Sequence, residues 1–305
     1  MKRALITGSQ GFVGNYLRQE LEKNSYLVSG LDLTPGHCVF VADLMDSAQV
    51  EQIIAKLVPD VIFHLAGQSN VAKSWAIPQK TLEINAIAAI NLMEAVRKNI
   101  PACRLVMTGS SDQYGNLGEA GRLISEKVKP KPQTPYAVSK QTQEEMARVY
   151  AQTYDMHICM TRSFNHAGAG QSKGFLIPDF ASGIVAVERG EVSCLRVGNL
   201  TARRDFTHVK DVVRAYRMIA ELGQPGNIYN VGSGITYSAQ EILDRLCSMA
   251  KCEIPVVQDP EKMRPSDTPV ICCDHEKLTS HTGWQPELSI DQMLEDALAD
   301  WRNRA

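Results

Sequence analysis

The sequence lacks any apolar run of the roughly 20 residues that a membrane-spanning helix requires. Its charges nearly cancel, with 32 Lys and Arg against 34 Asp and Glu, so no basic field of the kind that attracts nucleic acid surrounds the chain. A ligand that carries phosphate must therefore be bound by local groups. The apolar start gives way to glycine and polar residues too early for a secretion signal, and we expect a mature protein from the first residue.

Metal-binding and disulfide patterns are also missing, although the chain has eight cysteines. None forms a Cys-x-x-Cys pair, and the adjacent Cys272 and Cys273 suit neither metal ligation nor an ordinary disulfide. Cys103, Cys159 and Cys194 stand in apolar stretches, where a thiol behaves as a small hydrophobic group. We therefore expect reduced thiols, no metal site and a cytoplasmic location.

Short apolar runs alternate with longer helical patterns over the first 165 residues. The runs predict strands at 4–6, 26–31, 39–41, 61–65, 104–107 and 156–162, and the patterns predict helices at about 11–22, 46–57, 82–97 and 136–154. Such alternation is typical of a parallel sheet with helices on both faces.

The sequence pattern changes after Phe164, where glycine and proline become frequent. Here the patterns predict helices at 175–188, 209–222 and 239–250 and a strand at 227–231. We predict an α/β fold, a Rossmann-like doubly wound parallel sheet with a smaller C-terminal α+β substrate lobe. The dinucleotide-binding domain would comprise residues 1–165 and about 207–225. The nucleotide-sugar-binding lobe would comprise about 166–206 and 226–305, and the cleft would lie where the two meet.

A glycine-rich turn follows the first strand and opens the first helix, with the sequence Thr7-Gly8-Ser9-Gln10-Gly11-Phe12-Val13-Gly14. Gly8 permits the tight turn, Gly11 lets the backbone reach a pyrophosphate, and Gly14 allows the helix to pack closely on the sheet. The helix N-terminus offers N–H groups and a partial positive charge to the anion. A plain glycine turn is the alternative, but the strand–turn–helix context favours a dinucleotide at Gly8, Gly11, Phe12, Val13 and Gly14.

Three later strand ends also border the expected cofactor. Asp32 closes the second strand, where a carboxylate would bind an adenosine ribose and repel a 2′-phosphate, which favours NAD over NADP. A simple turn residue is the alternative. Loops bordering adenine and the nicotinamide ribose are predicted at Asp43 and Leu44 and at Leu65, Ala66 and Gly67, with ordinary turn chemistry as the alternative. His64 is better explained as a packed or hydrogen-bonded histidine than as a catalyst.

Tyr136 and Lys140 begin a helix after a proline-rich segment, and their i,i+4 spacing places both side chains on one face. An ammonium near a phenol favours the phenolate, so we expect Lys140 to lower the pKa of Tyr136 and make it a usable acid or base. Ser110 and Ser111 end the fifth strand beside the expected cofactor edge, where a hydroxyl can polarise a carbonyl. Tyr-x-x-x-Lys is a weak motif alone, but the glycine turn and the serines strengthen it.

These motifs together resemble the extended branch of the short-chain dehydrogenase/reductase superfamily over essentially the whole chain. The matching first-half segments are the glycine turn, His64-Leu65-Ala66-Gly67, Gly109-Ser110-Ser111-Asp112-Gln113-Tyr114-Gly115 and Tyr136…Lys140. The second half is most similar to GDP-6-deoxy-4-keto-D-mannose reductases, which form GDP-D-rhamnose, with GDP-mannose 4,6-dehydratases as near relatives. The segments are Arg162-Ser163-Phe164-Asn165-His166-Ala167-Gly168-Ala169-Gly170-Gln171, Val197-Gly198-Asn199, Arg204-Asp205-Phe206, Met263-Arg264-Pro265-Ser266-Asp267 and Thr282-Gly283-Trp284-Gln285-Pro286.

The resemblance implies a reductase that uses NAD(P)H on a GDP-4-keto-6-deoxyhexose. Tyr136 would protonate the C4 oxygen, with Lys140 on the nicotinamide ribose and Ser110 on that oxygen, or Ser111 in its place. The substrate would meet Asp112, Asn165, Val197, Arg204, Arg264 and Asp267. An arginine fork suits phosphate geometry, which supports the two arginines over simple surface salt bridges. Trp284 is expected in the core.

Three departures from the family pattern matter. The dehydratases carry Glu where Asp112 stands, which favours reduction. The usual Gly-Pro-Gly-Gln reads Gly168-Ala169-Gly170-Gln171 and loses a rigid turn. Asp32 indicates NADH. A dehydratase that recycles its own cofactor, a nucleotide-sugar epimerase and a non-catalytic dinucleotide sensor remain as alternatives.

A homodimer is also implied, since the helices at 82–97 and 136–154 commonly form the dimer bundle in this superfamily. Ala86, Ala88, Ala89 and Ala95 would allow close packing between subunits, and the intramolecular core is the alternative for them.

Overall fold

The computed structural model describes residues 1–116, 123–262 and 270–304. In chain order its strands are β1 (Lys2–Thr7), β2 (Tyr26–Asp32), β3 (Val39–Val41), β4 (Val61–His64), β5 (Arg104–Ser110), β6 (Leu123–Ile124), β7 (Ile158–Ser163), β8 (Asn165–Ala167), β9 (Leu195–Val197), β10 (Arg203–His208), β11 (Ile228–Val231), β12 (Thr236–Ser238), β13 (Val256–Gln258) and β14 (Val270–Cys273).

The α-helices are α1 (Phe12–Lys23), α2 (Ser47–Leu57), α3 (Val71–Ala76), α4 (Pro78–Leu82), α5 (Ala88–Asn99), α6 (Pro135–Tyr154), α7 (Leu176–Glu188), α8 (Val209–Leu222), α9 (Ala239–Ser248), α10 (Glu276–Thr282) and α11 (Ile290–Asn303). A π-helical turn (Glu83–Ile87) joins α4 to α5, and 3₁₀ turns occupy Ser111–Tyr114 and Pro260–Lys262.

The main sheet has seven strands in the order β11-β7-β5-β4-β1-β2-β3, and every pairing in it is parallel. Leu5 packs in a cluster with residues of α2, α5 and α6, whereas Ile6 packs in a cluster with residues of α1, α8 and α10. Strands covered on both faces need apolar residues at successive positions, which is why the buried centre of β1 reads Ala4-Leu5-Ile6. The predicted Rossmann-like doubly wound sheet is therefore confirmed.

The smaller lobe is built on a second sheet, with β12-β10-β14-β6 in order and β8 paired to β10, and on the two-stranded pair β13-β9. Its core lies among α7, α9 and α11. Three segments differ from the predicted division. We assigned about 226–305 to the lobe, but β11 pairs with β7 in the main sheet, and α10 packs in the same cluster as α1 and α8. We assigned residues 1–165 to the dinucleotide-binding domain, but β6 pairs with β14 in the second sheet.

The predicted helix at 82–97 is interrupted by the π-helical turn, and its alanines have a different role from the expected one. Ala86, Ala88, Ala89 and Ala95 are at most 3% exposed in the single chain. The expectation that they pack between subunits is wrong, because all four are buried within the chain, and α5 uses Ala88, Ala89 and Ala95 to approach its own sheet and α2.

Two absences hold for the described ranges. None of their helices combines the length and apolarity that crossing a bilayer requires. No group of three or more His, Cys, Asp or Glu side chains in the same ranges is arranged to bind a metal ion.

Candidate active site

The glycine turn between β1 and α1 is packed too closely for side chains. Gly8 has φ +72°, and a Cβ there would lie 2.8 Å from the backbone N of Ala66, in the loop after β4. A Cβ on Gly14 would collide with the Gly8 carbonyl oxygen. Gly11 caps α1, and among the described residues no side-chain cap accepts a hydrogen bond from the N–H groups of the first turn, which therefore remain for an anion. This turn fits a dinucleotide pyrophosphate.

The Asp32 carboxylate is hydrogen-bonded to the glycine turn. Its Oδ2 accepts a hydrogen bond from the N–H of Gln10 at 2.9 Å, and its Oδ1 accepts one from Thr34 at 3.0 Å. The carboxylate therefore lies beside the turn, where an adenosine ribose is expected. At the next strand end Asp43 is exposed and caps its own loop through the Met45 N–H, whereas the Leu44 side chain packs in the core.

Below the loop after β4, His64 is fully buried and its Nδ1 lies 2.9 Å from the Thr7 hydroxyl. Burial and the nearby Lys140 lower the pKa of His64 to about 3, so the ring is neutral. The prediction of a packed, hydrogen-bonded histidine is confirmed. Ala66 donates its N–H to the same Thr7 hydroxyl at 3.3 Å, which fixes the loop over the end of β1.

Lys140 lies beneath that loop. Its Nζ donates to the Thr108 carbonyl oxygen at 2.8 Å and to Gln143 Oε1 at 3.1 Å, and burial lowers its pKa to about 8. A Cβ on Gly67 would lie 3.6 Å from this Nζ, so the glycine leaves the space above the ammonium open. The position suits a hydroxyl-bearing group such as a ribose.

Tyr136 lies in the first turn of α6, because Pro135 starts the helix and the Thr134 hydroxyl accepts the Ala137 N–H at 3.0 Å. Burial, then the Asp112 carboxylate, raises the pKa of Tyr136 above its usual range, and a hydrogen bond with Ser110 partly counters them.

The prediction that Lys140 lowers the pKa of Tyr136 is wrong. Burial has the largest effect on this pKa and raises it, and the Lys140 ammonium is hydrogen-bonded to Thr108 and Gln143. The contact to the phenol is made by Ser110, our first choice, while Ser111 is buried with 3% exposure.

The predicted substrate residues have different surroundings. Asn165 is exposed on β8, and Arg204 on β10 is partly buried with one guanidinium N–H donated to the Arg203 carbonyl at 2.8 Å. Val197 is 2% exposed and its side chain packs in the lobe core, so the predicted contact of Val197 with substrate would have to be made by its backbone. Arg264 and Asp267 lie outside the described residues. Trp284 is fully buried, and its predicted core position is confirmed.

Sequence reasoning missed Asn85, which lies in the π-helical turn and joins the two halves of the site. Its Oδ1 accepts the Gln68 N–H at 2.7 Å, and its Nδ2 donates to the Ser139 hydroxyl at 2.9 Å on α6. The residue therefore links the Gly67 loop to the helix of Tyr136 and Lys140. No residue spacing indicates such a link, because it depends on α4, the turn and α6 meeting in space.

The loop Gly168-Ala169-Gly170-Gln171, which lacks the family proline, is fixed by other parts of the chain. The Tyr16 hydroxyl donates to the Ala169 carbonyl at 2.9 Å, and Asp300 Oδ2 accepts the Gly170 N–H at 2.9 Å. Arg304 donates to the Gln171 carbonyl at 3.1 Å. The end of α11 thus takes over part of the stiffening that a proline would provide.

Comparison with known proteins gives a consistent result. The chain matches the family described as GDP-mannose 4,6 dehydratase over residues 5–297. It is 34% identical to a GDP-6-deoxy-D-mannose reductase from Pseudomonas aeruginosa, over 99% of this chain and 98% of that protein. A GDP-mannose 4,6-dehydratase from Yersinia enterocolitica is 28% identical over 98% of this chain and 93% of its own length.

Solved structures agree. The structure of RMD from Pseudomonas aeruginosa complexed with NADPH has a TM-score of 0.91 at 33% identity and covers 100% of both chains. A UDP-glucose 4-epimerase from Thermus thermophilus in complex with NAD has a TM-score of 0.89 at 26% identity, over 99% of this chain and 100% of its own.

Proposed function

The chain belongs to the GDP-mannose 4,6-dehydratase family, and from that membership we propose that it is an NAD(P)H-dependent reductase of nucleotide sugars. The reaction reduces the C4 keto group of a GDP-4-keto-6-deoxyhexose and gives a GDP-6-deoxyhexose such as GDP-D-rhamnose. The observation that carries this proposal is the contact between the Tyr136 phenol and Ser110 at the sheet edge that also holds the glycine turn and Lys140.

The side chains have complementary roles in this proposal. Bound NAD(P)H supplies the hydride for C4. Tyr136 donates its proton to the C4 oxygen, and Ser110 hydrogen-bonds that oxygen as negative charge develops on it. A proton donor must be protonated at the working pH, and the raised pKa of Tyr136 ensures this. Lys140 binds a ribose hydroxyl of the cofactor.

Substrate contacts are part of the same proposal. Asn165, Arg204 and Arg264 would bind the diphosphate, since arginine forks match phosphate oxygens, and Asp267 would face the nucleotide ribose. Asp112 lies close enough to Tyr136 for its charge to affect the phenol, which supports a role for it beside the reacting carbonyl.

The rival reaction is that of a GDP-mannose 4,6-dehydratase, and Asp112 argues against it. Dehydratases of this family carry Glu at that position to remove a proton, and the aspartate is one methylene shorter. The identity values point the same way, 34% to the reductase and 28% to a dehydratase.

The test follows NADH and NADPH absorbance with enzymatically made GDP-4-keto-6-deoxymannose as substrate. We expect stoichiometric oxidation of the reduced cofactor and formation of a GDP-6-deoxyhexose. Oxidation of neither cofactor would rule out the reductase. Conversion of GDP-mannose to a 4-keto product without net cofactor change would establish the dehydratase instead.

Organisation and environment complete the proposal. Residues 1–165 with about 207–225 bind the dinucleotide, joined by β11, and the rest of the C-terminal part binds the nucleotide sugar. We also propose a cytoplasmic homodimer. The support for the dimer is a set of exposed apolar side chains on α4, the π-helical turn and α6: Leu82, Ile87, Val138 and Val149, each 40–45% exposed.

A further inference from the structure

Five side chains with no role in the proposed reaction lie buried behind the Ser110 loop. Each is at most 5% exposed: Gln113, Tyr114, Glu144, Arg162 and Asn230. Burial of polar groups is costly unless they have partners, and hydrogen-bonded networks make their surroundings rigid. Each of the five side chains has at least one partner, although Arg162 Nη1 makes no hydrogen bond within the described part of the chain. We refer to these five residues as the loop-support network.

Gln113 fixes the backbone of Ser110. The Ser110 N–H donates to Gln113 Oε1 at 2.8 Å, and the Ser110 hydroxyl accepts the Asp112 N–H at 3.2 Å, which together close the 3₁₀ turn. A Cβ on Gly109 would lie 2.5 Å from Gln113 Oε1, so glycine at 109 makes room for the amide. The residue whose hydroxyl meets Tyr136 is thus oriented by the Gln113 side chain.

Glu144 connects the side-chain amide of Gln113 to α6. Gln113 Nε2 donates to Glu144 Oε2 at 2.9 Å. Glu144 stands four residues after Lys140 and eight after Tyr136 on α6, so the three side chains share a face of the helix. One carboxylate therefore connects the Ser110 loop with the helix that carries both proposed catalytic groups.

The rest of the network anchors this connection to the sheet. Arg162 on β7 donates to Glu144 through Nε at 2.8 Å and through Nη2 at 2.6 Å. Its guanidinium lies 4.7 Å from the centre of the Tyr114 ring, and the Tyr114 hydroxyl donates to Asn230 Oδ1 at 2.7 Å on β11. The Ser110 loop and α6 are therefore both anchored to β7 and β11.

We propose that Gln113 and Glu144 are positioning residues that set the distance between the Ser110 hydroxyl and the Tyr136 phenol. The proposal rests on the proposed function, since the two groups must meet one carbonyl oxygen together. A displacement of about 1 Å at a reacting centre costs on the order of 100-fold in rate. A network that only stabilised the fold would affect the melting temperature and leave kcat in place.

The test is Gln113→Leu, which removes all three side-chain hydrogen bonds of Gln113, to Ser110, Glu144 and Gln141, at similar volume. We expect kcat to fall by about 10- to 100-fold, with the substrate KM and the cofactor Kd within about twofold, because Ser110 acts on charge that develops only in the transition state. Gln141→Leu is the matched control. It removes the other partner of Gln113 Nε2, at 2.9 Å, and a long 3.4 Å hydrogen bond from Gln141 to Glu144 Oε1, but it leaves the bond between Gln113 and Glu144 in place. Its kcat should therefore stay within about twofold of wild type.

A charge-conserving exchange separates positioning from stability. Gln113→Glu alone places two carboxylates together and should be as impaired as Gln113→Leu. Combined with Glu144→Gln, the pair again carries one carboxylate and the acceptor for the Ser110 N–H remains, so kcat should rise above that of Gln113→Glu. Full recovery is not expected, because Arg162 Nε and Nη2 lose the carboxylate that accepts both of their hydrogen bonds. Equal losses in Gln113→Leu and Gln141→Leu, or a kcat of Gln113→Leu close to wild type, would overturn the proposal.

Failure of the proposed function would be recognised separately, as wild-type protein that oxidises neither cofactor. Crystal structures of wild type and Gln113→Leu then decide about positioning. We expect Ser110 Oγ to move away from the Tyr136 hydroxyl by about 1 Å or more. An unchanged distance would contradict the positioning role whatever the reaction is.

Discussion

At the scale of single residues, Tyr136 combines burial with a neighbouring carboxylate, and both favour the protonated phenol. Tyr136→Phe removes only the hydroxyl, so we expect kcat to fall by about 10²- to 10⁴-fold, the usual contribution of general acid catalysis. Cofactor binding, measured by fluorescence titration, should be unchanged. Tyr154→Phe, at an exposed position on the same helix, is the control. A Tyr136→Phe enzyme within about tenfold of wild type would remove this residue from the mechanism.

Lys140 is a buried cation whose two partners in the chain are neutral, and this should cost stability. Its pKa falls from 10.5 to about 8 on folding, so below about pH 8 the folded protein holds a charge that the unfolded chain would solvate better. Lys140→Met should therefore be inactive and yet melt higher at pH 7, by roughly 2–6 °C for a stabilisation of about 1–2 kcal/mol.

The destabilisation of the folded protein by Lys140 should depend on pH. The unfolded chain binds more protons than the folded one between about pH 8 and 10.5, so the unfolding free energy of wild type rises over that window. The advantage of Lys140→Met should shrink across it, as measured by denaturant titration at several pH values. A difference in unfolding free energy between wild type and Lys140→Met that stays constant over this pH range would contradict the unpaired-charge explanation. A lower melting temperature for Lys140→Met at pH 7 would contradict it too.

Asp32 is hydrogen-bonded to the glycine turn, where we propose that the adenosine ribose binds, and no Lys or Arg occurs in residues 33–42 to attract a 2′-phosphate. We expect NADH to be preferred, and Asp32→Asn to raise kcat/KM for NADPH relative to NADH by about tenfold, since removing one repulsive pair near the surface is worth roughly 1–2 kcal/mol. Asp155→Asn, at an exposed left-handed position that tolerates asparagine, is the control. A preference for NADPH in wild type would show that the cofactor bypasses this carboxylate.

At the scale of elements, α1 approaches the glycine turn only because Gly14 has no side chain. Gly14→Ala would press a methyl group against the Gly8 carbonyl and move the helix start away from the turn. We expect cofactor affinity to fall at least about tenfold and the unfolding free energy to drop by about 1–3 kcal/mol, as for other overpacked sites. Gln19→Ala, exposed on the same helix, should change neither. Unchanged affinity in Gly14→Ala would separate the helix start from the pyrophosphate.

At the scale of the whole molecule, the exposed apolar face of α6 has no partner within the described part of the chain. Val138 and Val149 are 11 residues apart, so they lie on one side of the helix, and they are 45% and 42% exposed. Val138→Lys with Val149→Lys should turn the proposed dimer into a monomer in light-scattering chromatography. Leu222→Lys, 55% exposed at the end of α8, should leave the dimer intact. A wild-type monomer would refute the dimer directly.

The long elements of the larger domain could be predicted from the sequence because their patterns are local. The strands β1, β2 and β4 are apolar runs ending at turn residues, and α6 has a proline start and an amphipathic length. The short strands of the lobe, such as β8 and β9, and the helix α11 were not predicted. Strands of three residues carry almost no periodicity, and their pairing depends on contacts between distant parts of the chain.

By itself the sequence determined where the groups of the proposed chemistry stand, since the glycine spacing, Asp32, Ser110 and the Tyr136–Lys140 pair each occupy a predicted strand end or helix start. Only the tertiary structure decided how these groups influence one another. Burial reversed the expected direction for the Tyr136 pKa, because removal from water disfavours the phenolate and its strength depends on the surrounding packing. The link from Gln113 to Glu144 likewise exists only where a loop and a helix, 31 residues apart in the chain, are brought together on one sheet.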